Sequence, residues 1–173
     1  LGKGEDICET GCIVATLSVE ELLKRLRGRS PAGFAIALHI TFTTPRYLFQ
    51  SYQREWIDQY SSQGMVMRDP TVHWAFSNTG TIRWSDLAGV DPSGVLAEAA
   101  QHGMRFGATL SLDAGGSKSM ASFSRADREI SEIELAALGA DLRQLHLRTL
   151  GAQTLDQNIH ETLRHLSIYL THG

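Results

Sequence analysis

The stretch that decides the fold runs Arg105-Phe106-Gly107-Ala108-Thr109-Leu110-Ser111-Leu112, then Gly115-Gly116, then Lys118-Ser119-Met120-Ala121-Ser122-Phe123-Ser124. Two runs of strand length flank a Gly-Gly pair, the composition of a tight hairpin turn, so an antiparallel pair is predicted here. Upstream, Gly33 to Ile40 and Thr41 to Gln50 are rich in Phe, Ile, Leu and Thr and predict a second pair of adjacent antiparallel strands. Helical signals surround both pairs. Ser18 with Glu21 forms a capping box ahead of Val19, Leu22, Leu23 and Leu26, predicting a first amphipathic helix that ends near Gly28. Tyr52 to Ser61 has a helical pattern, Asp69-Pro70 reads as an N-cap followed by proline at the first helical position, and Val95 to Gln101 reads as helix. In the last third, Ile130, Ile133, Ala137, Leu138, Leu142 and Leu145 predict one apolar helical stripe, and Ile159, Leu163, Leu166 and Leu170 another. The order α-β-β-α-α-β-β-α predicts an α+β fold, an α-β-α sandwich with a central antiparallel sheet between helical layers.

Composition bounds what such a domain can do. The 173 residues suit one domain, and 42% hydrophobic with 20% charged residues is ordinary for a folded globular chain. A formal net charge of −3 provides no positive field to hold the chain on DNA or anionic lipid. Cys8 and Cys12 sit four apart with no second Cys/His pair at zinc spacing, so they are read as reduced thiols of a cytoplasmic protein, with no metal site. No apolar run approaches the ~20 residues needed to span a bilayer, and the start lacks a basic segment followed by an apolar one, so neither membrane insertion nor secretion is expected. The chain begins at Leu1 rather than Met, which suggests trimming at its start. Seven histidines and scattered acids include no His-Glu-x-x-His, nucleophile elbow or Walker loop, so catalysis is not expected.

The densest cluster of candidate site residues is Tyr52, Trp56 and Tyr60, spaced four apart and so on one slowly drifting helical face. Taken alone such a stripe belongs to a core, and Asp before Pro is a cap. Together, a carboxylate at Asp69 shortly after aromatic hydrogen-bonding groups has the chemistry to orient a buried ligand that contains an amide.

The series Tyr52-Gln53-Arg54-Glu55-Trp56-Ile57-Asp58-Gln59-Tyr60, then Asp69-Pro70, Trp84-Ser85 and Gly107, resembles the autoinducer-binding domain of LuxR-type quorum-sensing regulators over roughly Leu17 to Leu150. The resemblance implies a PAS/GAF-like sandwich with a pocket between the sheet and one helical layer, holding an N-acyl homoserine lactone and no cofactor. It further implies that Trp56 donates to the lactone carbonyl, Asp69 accepts from the amide N–H, and Tyr52 with Ser122 donates to the amide carbonyl. Tyr60 and Trp84 are expected as aromatic walls, and Gly107 as a structural glycine. Leu38, Ile40, Phe42, Leu48, Leu110 and Phe123 are candidates for lining the tail, with dry core as the default for each.

The implied organisation is an autoinducer-binding domain over 1–150, followed over 151–173 by a linker helix or the start of a DNA-binding domain missing from this chain. DNA contact is expected only through that absent domain, and truncation is the preferred explanation of where the chain stops. A homodimer is expected. The competing expectation is a stand-alone PAS/GAF-like module without a DNA-binding domain, sensing another ligand or inhibiting regulators by heterodimerisation.

Overall fold

The computed structural model describes residues 17–151. Cys8, Cys12 and the predicted stripe from Ile159 to Leu170 lie outside these residues. Helix α1 (Val19–Arg29) starts as its capping box requires: the Ser18 backbone N–H donates to Glu21 Oε2 at 2.7 Å and the Glu21 N–H to Ser18 Oγ at 3.2 Å. There follow β1 (Gly33–Ile40), β2 (Tyr47–Gln50), α2 (Arg54–Ser62), α3 (Pro70–Ser77), β3 (Gly80–Arg83), α4 (Trp84–Leu87), α5 (Val95–Gln101), β4 (Phe106–Ala114), β5 (Ser117–Arg125) and α6 (Glu132–Leu150). Helix α6 opens on a second capping box, Ser131 with Glu134.

The five strands form one antiparallel sheet in the order β2-β1-β5-β4-β3. Gly115 and Gly116 turn the β4–β5 hairpin with φ of 59° and 71°, a pair of left-handed residues that matches the twist of the strands they join. On one sheet face Phe34, Ile36, Leu38, Phe49, Leu110 and Phe123 pack under α1 and α6 as the main core. Arg25 and Arg29 of α1 both pair with Asp141 of α6, which is buried, and so clasp the two helices together. On the opposite face a smaller cluster of Trp56, Met65, Trp84, Val95, Ala99 and Met104 holds α2, α4 and α5 over the sheet.

Three expectations are corrected. The second strand covers only Tyr47–Gln50, because Thr41 and Thr44 close a turn on each other and Pro45 has no N–H for a ladder. Strand β3 falls outside the predicted order, since four residues at a sheet edge with an exposed start carry almost no periodic signal. Ile133 is 85% exposed, and the buried stripe of α6 is Leu135, Leu138, Leu142 and Leu145. The helix starts at Glu132, which turns Ile133 to solvent while Ile130 is buried ahead of the first turn.

Candidate functional site

Between the sheet and the α2, α3 and α5 layer lies a cavity of about 250 Å³. Its floor is written by strand alternation. Gln50, Ala35, Ser122 and Thr109 lie in register across β2, β1, β5 and β4, and Leu48, Ala37 and Met120 form the next row two residues along. Three of the four residues in the first row are polar and the second row is apolar, so the cavity has a polar end and an apolar end. Ile40, paired with Lys118, continues the apolar end.

Helix α2 carries Trp56 and Tyr60 on its inner face, with ring centroids 5.6 Å apart. Trp56 is backed by His102 at 5.3 Å, and His102 Nε2 meets Gln59 Oε1 at 3.0 Å while Gln59 donates to Glu98 at 2.6 Å. Trp56 lines the cavity, and among the described residues its indole N–H has no hydrogen-bond partner, so this donor is available to a ligand. Asp69 is both an N-cap and a cavity wall. Its Oδ1 accepts from the Thr71 backbone N–H at 2.8 Å and the Thr71 hydroxyl at 2.7 Å, and its Oδ2 accepts from the Tyr60 hydroxyl at 2.8 Å. Two carboxylate oxygens offer about four acceptor positions, so one remains for a further donor.

Burial first, and then the Asp69 charge, push both the Tyr52 and Tyr60 hydroxyls well above the usual phenol range, so each stays a proton donor at neutral pH. The Tyr52 hydroxyl donates to the Ser122 carbonyl at 3.3 Å, a long bond. Gly33 makes room for this ring: a Cβ there would lie 2.5 Å from Tyr52 Cδ1. Gly107 does the same for Trp84, whose ring would meet a Cβ at 2.4 Å.

The Trp84 indole N–H donates to Thr109 Oγ1 at 3.1 Å, and Thr109 Oγ1 lies 2.8 Å from Ser122 Oγ. An indole can only donate, so Thr109 accepts there, and its own buried proton goes to Ser122. The Ser122 proton is then free to point into the cavity. Thr109, Thr71 and Gly33 are therefore site residues that the motif reading did not single out. Of the tail-lining candidates, Ile40 and Leu48 line the cavity, Leu38, Leu110 and Phe123 belong to the core on the other face, and Phe42 is 95% exposed.

The six residues Tyr52, Trp56, Tyr60, Asp69, Trp84 and Ser122 all line this one cavity, although they come from two helices, the cap of a third, a strand and the segment leading into α2. The profile of the autoinducer binding domain matches residues 35–150, most of the chain and all of these positions. The chain belongs to the LuxR-type autoinducer-binding domain family. Among solved structures, Escherichia coli SdiA superposes with this autoinducer-binding domain at a TM-score of 0.62 and 19% identity, covering 79% of this chain and 62% of SdiA. SdiA in complex with octanoyl-rac-glycerol superposes at 0.62 and 20% identity, covering 80% and 62%. CepR2 of Burkholderia cenocepacia, an N-acylhomoserine lactone dependent LuxR family transcription factor, superposes at 0.57 and 19% identity, covering 78% and 84%. The chain thus spans 62% of the SdiA length. No curated protein sequence matches it. Among the described residues no helix is long and apolar enough to cross a membrane, and no group of three His, Cys, Asp or Glu is placed to hold a metal ion.

Proposed function

We propose that this domain is a sensor that binds an N-acyl homoserine lactone, with no catalytic role. The observation that carries the reading is the inventory of the polar end: two unclaimed donors, Trp56 N–H and Ser122 O–H, and one buried carboxylate with spare acceptor capacity, Asp69. An amide N–H flanked by its own carbonyl and a lactone carbonyl presents the complement, one donor and two acceptors. Trp56 donates to the lactone carbonyl, Asp69 accepts from the amide N–H, and Ser122 donates to the amide carbonyl. Tyr52 joins Ser122 by exchanging its long bond to the Ser122 backbone carbonyl for the ligand. Each such group left unpaired would cost about 1–3 kcal/mol, so the head is read sharply. The tail, at roughly 0.8 kcal/mol per buried methylene, supplies affinity with little directionality.

We further propose that the domain belongs to a cytoplasmic quorum-sensing regulator that acts as a homodimer and reaches DNA through a further domain; the transcriptional part of this reading is supported by the likeness to CepR2, an N-acylhomoserine lactone dependent transcription factor. A second reading is a monoacylglycerol ligand, favoured by the octanoyl-rac-glycerol seen in SdiA. There a glycerol hydroxyl would donate to Asp69.

Asp69→Asn separates the two. The asparagine oxygen can keep the Thr71 contacts, which leaves an NH₂ facing the ligand. An amide N–H cannot turn round to accept, whereas a glycerol hydroxyl can. Lactone affinity is expected to fall at least about ten-fold while octanoylglycerol affinity changes by less than about three-fold, both by calorimetry. Unchanged lactone binding in this variant removes the role given to Asp69. A parent protein that neither retains a lactone through purification nor gains melting temperature from one removes the lactone reading.

A further inference from the structure

The two ends of the cavity differ in how they meet solvent. At the polar end Trp56, Asp69, Trp84 and Thr109 are 5%, 7%, 7% and 1% exposed. At the other end the lining residue Phe76 is 37% exposed and Thr43, also in the lining, is exposed, while Val66, 47% exposed, lines the wall between α2 and the Asp69 cap. Helix α3 runs along the cavity from the Asp69 cap at the head to Phe76 near its last turn, where Ser111 and Lys118 hold the Ala75 carbonyl. Lys118 is the register partner of Ile40, so the α3 terminus, Ile40 and the turn of Thr41 to Arg46 meet at the same end. Next to the exposed lining stand Phe42 and Met67, 95% and 79% exposed, apolar surface with no cover among the described residues.

From this we propose that the tail end of the cavity is an open mouth, so the site sets a minimum acyl length and no maximum. The proposal rests on the acyl-ligand reading above. From the Ser122 row to the Lys118 row is four residues of β5, about 13 Å at the rise of a strand. A zigzag chain of ~1.5 Å carbon–carbon bonds advances about 1.25 Å per bond, so roughly ten carbons fill that span. Further carbons emerge between Pro45 and Phe76 toward the exposed Phe42, neither reaching a wall nor gaining full burial. Ala35 and Ala37 keep the channel passable, since both offer a single methyl to a floor where a larger residue would block it.

The test is a calorimetric series of homoserine lactones with straight tails of four to fourteen carbons, held below the concentration at which long tails self-associate. Affinity is expected to rise up to about four-fold per methylene as far as roughly ten carbons and then to stay within about three-fold to fourteen. A lactone with a bulky fluorophore on the last carbon of a twelve-carbon tail should bind within about three-fold of its untagged parent. Ala37→Phe, which fills the channel from an existing floor position about five carbons along, should weaken tails of ten or more carbons at least ten-fold more than it weakens a four-carbon tail. A sharp loss at twelve and fourteen carbons, or exclusion of the tagged tail, overturns the open mouth while leaving the lactone reading intact. Absence of binding at every length overturns both.

Discussion

The two faces of the sheet are made from alternate residues of the same strands, yet one is a dry core and the other a chamber. Along β1, Phe34, Ile36 and Leu38 point to α1 and α6 and are fully buried, while Ala35 and Ala37 between them face the cavity. Along β5, Ala121 and Phe123 pack with the first set, while Met120 and Ser122 line the second. The difference is one of volume and polarity at positions of period two. Large apolar side chains fill one face to native density, and small or hydroxyl-bearing ones hold the other open. Stability should therefore reside mainly on one face and recognition on the other.

The largest effect is expected from the full face. Phe123→Ala removes a ring with no solvent exposure that packs against Phe34 at a centroid distance of 6.3 Å. It should cost about 3–5 kcal/mol of unfolding free energy in urea titrations. Ser122→Ala, its neighbour on the opposite face, should cost less than about 1 kcal/mol by the same measurement. Equal losses would break the division of labour between the faces.

The dry face also contains one polar island, and this gives a pH-dependent test. His39 sits where β1 shifts register, with φ of 55°, and is 3% exposed. Its Nε2 meets Thr149 Oγ1 at 2.7 Å, and because that hydroxyl donates to the Leu145 carbonyl at 2.8 Å, the imidazole donates. Its Nδ1 then accepts from Ser117 at 2.9 Å, while His146 lies 4.7 Å away, bonded to Ser119 and the Ala114 carbonyl. Burial first, then His146 and Arg46, hold His39 at about 4, below the usual imidazole range near 6.5. Between those values the unfolded chain takes up a proton that the folded chain refuses. Stability is thus complete above about pH 6.5 and is lost progressively as pH falls toward 4, by up to about 3 kcal/mol. His39→Asn, which tolerates the left-handed backbone, should flatten this slope in urea midpoints measured from pH 7 to 4. An unchanged slope would place the acid sensitivity elsewhere.

How much of this was legible in advance follows the same division. The Ser18–Glu21 capping box and the hairpin around Gly115-Gly116 depend on neighbours within a few residues, and each is found where local chemistry predicts it, whereas the equally local box of Ser131 with Glu134 was not singled out. The aromatic trio, Asp69, Trp84 and Ser122 could be named from spacing and resemblance, and the fold brings all six to one cavity. What each polar atom does there depends on partners distant in the chain. Tyr60 expected as a wall is a donor to Asp69, and Asp69 expected as a ligand contact is also a cap. Strand β3 and the exposure of Ile133 on α6 were illegible for a different reason, whereas Leu138, Leu142 and Leu145 of the same stripe are buried as predicted. Four edge residues bury too little to impose a period, and α6 has apolar residues on two faces, of which packing against α1 selects one.

Thr109 was within reach, since counting outward from Gly115-Gly116 places it opposite Ser122, and it gives the finest test of the two-face comparison. If the run from Trp84 through Thr109 to Ser122 orients the serine proton toward the ligand, Trp84→Phe and Thr109→Val should each weaken lactone binding by about three- to ten-fold. Neither is neutral for stability, since Trp84→Phe leaves a void where the larger ring stood and Thr109→Val strips the buried Trp84 N–H of its acceptor, so both should also lower the melting temperature and binding is compared well below it. The discriminating quantity is their coupling. Trp84→Phe frees Thr109 from its donor but leaves it able to accept from Ser122, and the serine can then turn its proton away from the cavity. Thr109→Val removes that acceptor and frees the serine to rotate. The double variant should therefore be no weaker than the weaker single variant, since both act through one hydroxyl. Fully additive losses would mean that Trp84 and Thr109 touch the ligand independently, which would make the cavity face a set of separate contacts rather than a hydrogen-bonded unit ending at Ser122.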